Sequence, residues 1–235
     1  MKLRLATLLI ALLHSISIFS QENKTVSIEK NSFNLVEEMT LKDQMLDPVF
    51  YKGKVFFKDG THTEAYLNYN LLTNGIFFLD NDNNAYQLAG LPEIAAISYG
   101  KRTFIPINSK EIAEVIQTLT GGDELLLNRK TEIKSSADNR GAYGTPTTTS
   151  SVTRVTTWDD AGALKQIDRS INVDITLKKT YLIKKGNKII NINRVRDLRK
   201  LYPDKWESLK DFVQTNNLKF NRQDDVIKII SFCYE

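Results

Sequence analysis

Hydrophobic positions follow two periods along this chain, and the change from one to the other divides it. The early pattern is the period of two that strands produce. Residues 53–58, Gly-Lys-Val-Phe-Phe-Lys, predict a strand, and Asp59-Gly60 a tight turn. Residues 61–70 predict its partner, with Thr63, Ala65, Leu67 and Tyr69 alternating against His62, Glu64, Tyr66 and Asn68. Thr73-Asn74-Gly75 then leads into 76–79, and the run 80–84, Asp-Asn-Asp-Asn-Asn, leads into 85–88. Two further strands are expected at 95–99 and 102–107, around Gly100. Short β-branched and aromatic runs with regular turn signals predict an antiparallel meander, in a sandwich or partly open barrel.

Further along, the pattern is mixed. Ile112, Val115, Ile116 and Leu119 have helical spacing, yet Gly121-Gly122 separates them from Leu125-Leu126-Leu127. Among β neighbours, two strands flanking a glycine turn are the preferred reading. Residues 135–163 are Ser/Thr-rich with scattered glycine, which suits a long exposed loop. Ile171, Val173, Ile175 and Leu177 alternate as a strand, and 181–183, Gly186-Asn187 and 189–192 predict another hairpin.

After Asn193 the period becomes helical. Val195, Leu198, Leu201 and Tyr202 suit a short helix ended near Pro203, which itself fits the first turn of a second helix through Trp206, Leu209, Phe212 and Val213. Asn221 is the expected cap of a third, with Val226, Ile227, Ile230 and Cys233 on one stripe. The expected class is α+β: an antiparallel meander followed by a β-hairpin and C-terminal helices. It divides into a signal peptide at 1–20, a flexible lead at 21–48 in which 26–28 could instead form a short strand, a β-rich domain at 49–177 and a hairpin-plus-helices region at 178–235.

The first twenty residues are set apart. Lys2 and Arg4 precede an apolar run at 5–13, and a short polar stretch ends at Ser20 before Gln21. Basic start, apolar middle and small residue at a cut site describe a secretory signal, and the run is shorter than the ~20 residues a membrane span needs. Export to the periplasm or medium is therefore expected, with no transmembrane segment after cleavage. No cysteine follows the apolar run, so lipid attachment at a new N-terminal cysteine is not available.

Composition then narrows the chemistry. Cys233 is the one cysteine, so no internal disulfide can form, and its apolar surroundings predict a buried thiol. His62 is the one histidine beyond the expected signal. Within one chain that excludes Ser–His–Asp and Cys–His hydrolases, His-rich zinc sites and two-His iron sites. Asp80, Asp82 and Asn84 alternate as calcium ligands can, but an EF-hand loop counted from Asp80 lacks its Gly at Ala85 and its Glu at Leu91. They read as turn residues, and Gly121-Gly122 and Gly141-x-x-Gly144 read as turns without a phosphate-loop pattern. No catalytic residue, metal or cofactor is assigned.

Charge is uneven. Residues 178–235 hold 14 Lys/Arg against 7 Asp/Glu, whereas the rest of the chain after Ser20 holds 16 against 21. A basic part of this kind meets acidic proteins or anionic surfaces. Arg194, Arg196, Arg199, Lys200 and Trp206 are the candidate partner-binding residues, with the three middle cations not expected to share one narrow helix face. Asp197, Asp204, Glu207 and Asp211 dilute the field, and export removes the protein from chromosomal DNA, so nucleic acid is not the expected partner.

The signal ending in Ser-Gln, the 53–70 hairpin with Tyr69-Asn70-Leu71, the 102–107 strand and the 178–202 hairpin-plus-helix resemble uncharacterised exported proteins of Bacteroidota. The resemblance implies a cell-envelope or secreted setting and carries no activity or site residue. The expected role is a non-enzymatic binding or envelope-associated one. Its rival is an enzyme acting on glycan through two carboxylates that converge from distant positions.

Overall fold

In a computed structural model, the fold is described over residues 23–28, 40–136 and 171–235, with side chains over 40–132 and 175–235. The signal segment at 1–20 and nearly all of the Ser/Thr-rich stretch at 135–163 lie outside the described residues. Eleven strands form one antiparallel sheet: β1 (Asn23–Ile28), β2 (Tyr51–Phe57), β3 (His62–Asn70), β4 (Gly75–Leu79), β5 (Ala85–Gln87), β6 (Ile94–Tyr99), β7 (Arg102–Pro106), β8 (Ile112–Thr118), β9 (Glu124–Ser136), β10 (Ile171–Lys185) and β11 (Lys188–Ile192). Their order is β1-β10-β9-β8-β7-β6-β2-β3-β4-β5, with β11 also on β10. The ladder is a single open sheet that does not close. The helical period emerges where it was expected, in α2 (Leu198–Leu201), α3 (Trp206–Thr215) and α4 (Gln223–Tyr234), while α1 (Leu41–Gln44) is a single turn near the front. The class is α+β and mostly β.

The turns obey their residues. At the β2–β3 connection Gly60 takes φ 87°, and the Asp59 carboxylate accepts from the Thr61 N–H at 2.8 Å. Positive φ costs glycine little, and Asp folds its side chain back on the next backbone groups. Residues 112–118 form β8, and Gly121 (φ 85°) and Gly122 (φ 83°) turn the chain into β9. The helical spacing was coincidental: Ile112, with Ala113 and Glu114, is buried within a strand, and a register shift between Val115 and Gln117 re-aims the rest of that strand.

Three elements correct the sequence reading. The lead expected to be flexible through residue 48 is packed over 44–47: Gln44 and Met45 are buried, Met45 bridges to Asn70, and the Leu46 N–H donates to the Tyr69 carbonyl at 2.8 Å. This segment explains why Asn68 and Asn70, on the expected polar side of β3, are buried. The Asn68 amide donates to the carbonyls of Asp47 at 2.8 Å and Val49 at 3.0 Å, and that of Asn70 to Gln44 Oε1 at 2.9 Å. Asn221 does not cap α4. Arg222 occupies that position with extended backbone, and the Lys219 N–H finds its acceptor in the Asp225 carboxylate at 2.9 Å. On α4 it is Ile229 that joins Val226, Ile230 and Cys233 in the core, with Ile227 half-buried at its rim. β10, read as two separate strands, is continuous across the expected 177/178 division and pairs with β9 from Asn172 to Lys184.

Two cores occupy one face of this sheet. Val55, Leu67, Tyr69, Ile76, Ile94, Ile97, Tyr99, Phe104 and Ile112 form the first, where Phe104 stacks between Tyr69 (5.2 Å) and Tyr99 (5.5 Å). Leu119, Leu125, Leu127, Tyr181, Ile183 and Ile192 form the second, covered by Leu198, Leu209 and the buried side of α4. Between them the sheet curls until β3 meets β9, five places away in the strand order. The Tyr69 hydroxyl donates to the Arg129 carbonyl at 3.3 Å, the Thr131 hydroxyl to the Leu71 carbonyl, and the Thr131 N–H to Asn74 Oδ1 at 3.2 Å.

Gly53 marks one tight place in the first core. A Cβ there would lie 2.6 Å from Tyr99 Cβ and 3.0 Å from Leu67 Cδ1, and would run into the Ser98 carbonyl. Two of these neighbours are fixed by the ladder and cannot retreat. Gly53→Ala should destabilise the protein by about 1–3 kcal/mol, the usual cost of overpacking, measured by urea denaturation; an unchanged midpoint would show that β2 and β6 can part without loss.

Candidate functional site

The basic residues expected to meet a partner lie on the chain between β11 and α3. Arg194 is already engaged: its N–H and its Nε both donate to Asp197, at 3.2 and 3.1 Å, beside the Asn193 N–H at 3.0 Å. The Asn193 N–H foremost, together with Arg194, holds the Asp197 carboxyl below its ordinary range. Trp206 is half-buried against the second core, with Lys210 Nζ 5.8 Å from its ring centre. Arg196, Arg199 and Lys200 remain exposed and form no ion pair among the described residues. Arg196 lies in the turn Val195–Asp197, and Arg199 and Lys200 on α2 directly after it. Three of the five candidates are thus exposed and outside any ion pair among the described residues, and the other two have local structural work.

A concave site lies at the opposite end of the sheet. It is a cleft of about 600 Å³ lined by Val55, Thr63, Glu64, Ala65, Tyr66, Leu67, Phe78, Leu88 and the 80–83 turn, with Lys52 at its rim. That volume falls in the ~300–1,000 Å³ range of small-molecule and short-ligand sites. Its floor is apolar and its mouth polar. Lys52 and Glu64, directly across one face of β2 and β3 from their neighbours Tyr66 and Lys54, pair at 2.8 Å, while Lys54 approaches the same carboxylate at 3.4 Å. Tyr66 is more than half exposed.

Electrostatics restricts what this cleft can do. The Glu64 carboxyl is held below its ordinary range by Lys52 first and Lys54 second. Asp80 is lowered chiefly by the Asn84 N–H, which donates at 2.8 Å, with the Asp82 N–H adding to it at 2.9 Å. The D-x-D-x-N run is therefore a turn in which Asp80 ties its own loop together. Among the described residues no group of three or more His, Cys, Asp or Glu is placed to hold a metal ion.

Charges also run through the interior between the two cores. Arg102 holds Asp47 through Nε (3.0 Å) and Nη2 (3.2 Å), and its Nη1 donates to Glu114 at 2.6 Å. Arg129 Nη2 stands 2.5 Å from the other Glu114 oxygen. Burial alone would lower the Arg102 pKa; Glu114 and Asp47 more than offset that and raise it. Next to Arg129 across the ladder, Lys179 is lowered by burial and by the guanidinium beside it. Two cations and two anions in Arg102, Asp47, Glu114 and Arg129 compensate one another, which makes this row a brace rather than a reactive centre. Sequence reasoning missed it. The available signal was a charge at an inward position of an otherwise apolar alternation: Glu114 between Ile112 and Ile116, and Arg129 after Leu125 and Leu127.

Cys233 is buried on α4, and burial pushes its thiol up to about 11. At neutral pH such a thiol is not a nucleophile. A disulfide reagent should leave the folded protein unlabelled over minutes and react fully in denaturant; rapid labelling of the native chain would contradict this burial.

No helix among the described residues is long and apolar enough to cross a membrane. No protein-family model, no curated protein and no solved structure matches this chain.

Proposed function

We propose that this is an exported, non-enzymatic binding protein of the cell envelope or the surrounding medium, of the kind resembled by the exported Bacteroidota proteins. The observation that carries the reading is the state of the cleft. It is open, apolar in its floor and polar at its mouth, and its two carboxylates, Glu64 and Asp80, are both held in the ionised form. The rival reading, a glycan hydrolase, needs one carboxyl kept protonated as general acid beside a second that is ionised. Neither cleft acid is raised, and Asp80 already accepts hydrogen bonds from its own turn. What remains is recognition without turnover. The apolar opening of the chain supports the export part of the proposal.

Arg196, Arg199 and Lys200 supply a second contact, since three exposed cations that form no ion pair among the described residues attract acidic groups in a salt-sensitive way. Photo-crosslinking in intact cells tests both. A crosslinker at Tyr66 should capture a defined envelope partner, and one at Arg199 should capture an acidic partner that is lost on charge reversal of Arg196, Arg199 and Lys200. Turnover of an envelope glycan by the purified protein, abolished by Glu64→Ala or Asp80→Ala, would overturn the binding reading.

A further inference from the structure

The residues lining the cleft include four in succession, Thr63, Glu64, Ala65 and Tyr66. Successive side chains on a strand point to opposite faces. A cavity that touches all four cannot lie on one face; it runs along the backbone edge of β3. The ladder explains why that edge is open. β3 pairs with β2 from His62 to Leu67, but its pairing with β4 reaches only Tyr66, opposite Leu79. Beyond Leu79 the chain leaves the sheet into the 80–84 turn, where the Asp80 N–H donates to the Asn84 carbonyl at 3.0 Å and returns it to β5. Residues 62–65 are thus paired on the β2 side alone among the described residues.

Every second residue of that stretch directs its N–H and C=O away from β2, where no strand of the described sheet receives them. At about 3.3 Å per residue the gap is roughly 13 Å long, room for an extended segment of about four residues. Backbone groups of this kind are a template for an added strand. The cleft is also furnished on both sides of the edge. Val55, Leu67, Phe78 and Leu88 offer an apolar floor toward the first core, and the Lys52–Glu64 pair with exposed Tyr66 offers a polar rim on the other face. An added strand would present alternate side chains to those two environments.

We infer that the β3 edge beyond β4 is a strand-addition site for an extended peptide segment of another protein, with apolar side chains at alternate positions and polar ones between. This rests on the binding reading above and names its partner. Main-chain pairing with residues 62–65 supplies the contact. The apolar floor sets which positions of the peptide must be hydrophobic. The mutually neutralised Lys52 and Glu64 favour a segment of little net charge over a strongly acidic or basic one.

A displayed library of random octapeptides, selected on the purified protein, tests this. Thr63→Trp, a substitution that suits a strand and fills the cleft, serves for counter-selection once its thermal melt is shown to match the parent. Enriched peptides should alternate apolar and polar residues, should lose binding when N-methylated at alternate backbone nitrogens, and should slow hydrogen exchange within residues 62–65 by about tenfold or more. Peptides that bind equally well after N-methylation, or equally well to Thr63→Trp, would overturn strand addition while leaving a binding protein. If no peptide enriches but soluble cello-oligosaccharides shift the amide resonances of the cleft, the peptide inference falls and the binding reading stands. If neither peptides nor saccharides perturb residues 63–66 or 78–83, both fall.

Discussion

A chain ending at Arg222 should fail to give a cooperatively folded protein. The deletion removes α4, whose Val226, Ile229 and Ile230 are fully buried and whose Cys233 is nearly so. The three aliphatic side chains bring about 1.5–3 kcal/mol each, on the order of 5–9 kcal/mol together, against a whole-domain stability of about 5–15 kcal/mol. Their loss would also uncover Leu125, Leu127, Tyr181 and Ile183 on β9 and β10, with Leu119 from the turn before β9. Two polar anchors go with the helix: the Tyr234 hydroxyl, which donates to Asp123 at 2.7 Å, and Ser231, which pairs with Gln117 at 3.0 Å. The truncated chain should bind a hydrophobic dye and lose its sharp thermal transition, whereas Cys233→Ala in the full chain should cost only about 1 kcal/mol. A truncated chain that still melts cooperatively near the parent temperature would mean that the helices cover the sheet without holding it.

The meander was legible because its signals are local. Asp59-Gly60, Asn74-Gly75 and Gly121-Gly122 each fix a turn through glycine or the short polar residue before it, and the runs between them alternate. The helices were legible as well, since Pro203 and the change of period after Asn193 do not depend on distant residues. Asn221 was misjudged because the cap is decided by where the preceding turn places the backbone; Lys219 reaching Asp225 leaves Arg222, not Asn221, at the boundary.

The internal brace and the cleft were not legible, because both depend on strands meeting across the sheet. Asp47 reaches Arg102 from a segment 55 residues away, and β3 meets β9 only because the intervening strands curl. The open edge of β3 arises because its two ladders are offset, β2 pairing with His62 to Leu67 and β4 only with Tyr66 to Asn70, which no single run of sequence displays. Of the basic cluster, composition identified the cations, but only the structure separates Arg194, tied to Asp197, from Arg196, Arg199 and Lys200, which are exposed and form no ion pair among the described residues.

Glu114→Gln should cost about 3–5 kcal/mol, the penalty for removing one member of a buried ion group and stranding the others. The Glu114 side chain is 8% exposed and that of Arg129 7%, so water is poorly placed to hydrate the Arg129 guanidinium once its carboxylate partner is gone. Arg102 suffers less, because it keeps Asp47 and is itself 31% exposed. In a chain of this size such a loss lowers the melting temperature by roughly 10 °C or more. Glu64→Gln, which breaks a solvent-exposed pair with Lys52 at 2.8 Å, should leave the melting temperature unmoved. Pairing Glu114→Gln with Arg129→Met should be milder than the two single changes added together, because the second removes the charge that the first leaves uncompensated. The site sits where β8 and β9 run between the two cores, and Tyr69 bonds to the Arg129 backbone there. A destabilised Glu114→Gln protein should therefore lose hydrogen-exchange protection on β3 as well as β8 and β9. Strictly additive effects, or protection lost on β8 alone, would show that these four charges do not hold the curl of the sheet.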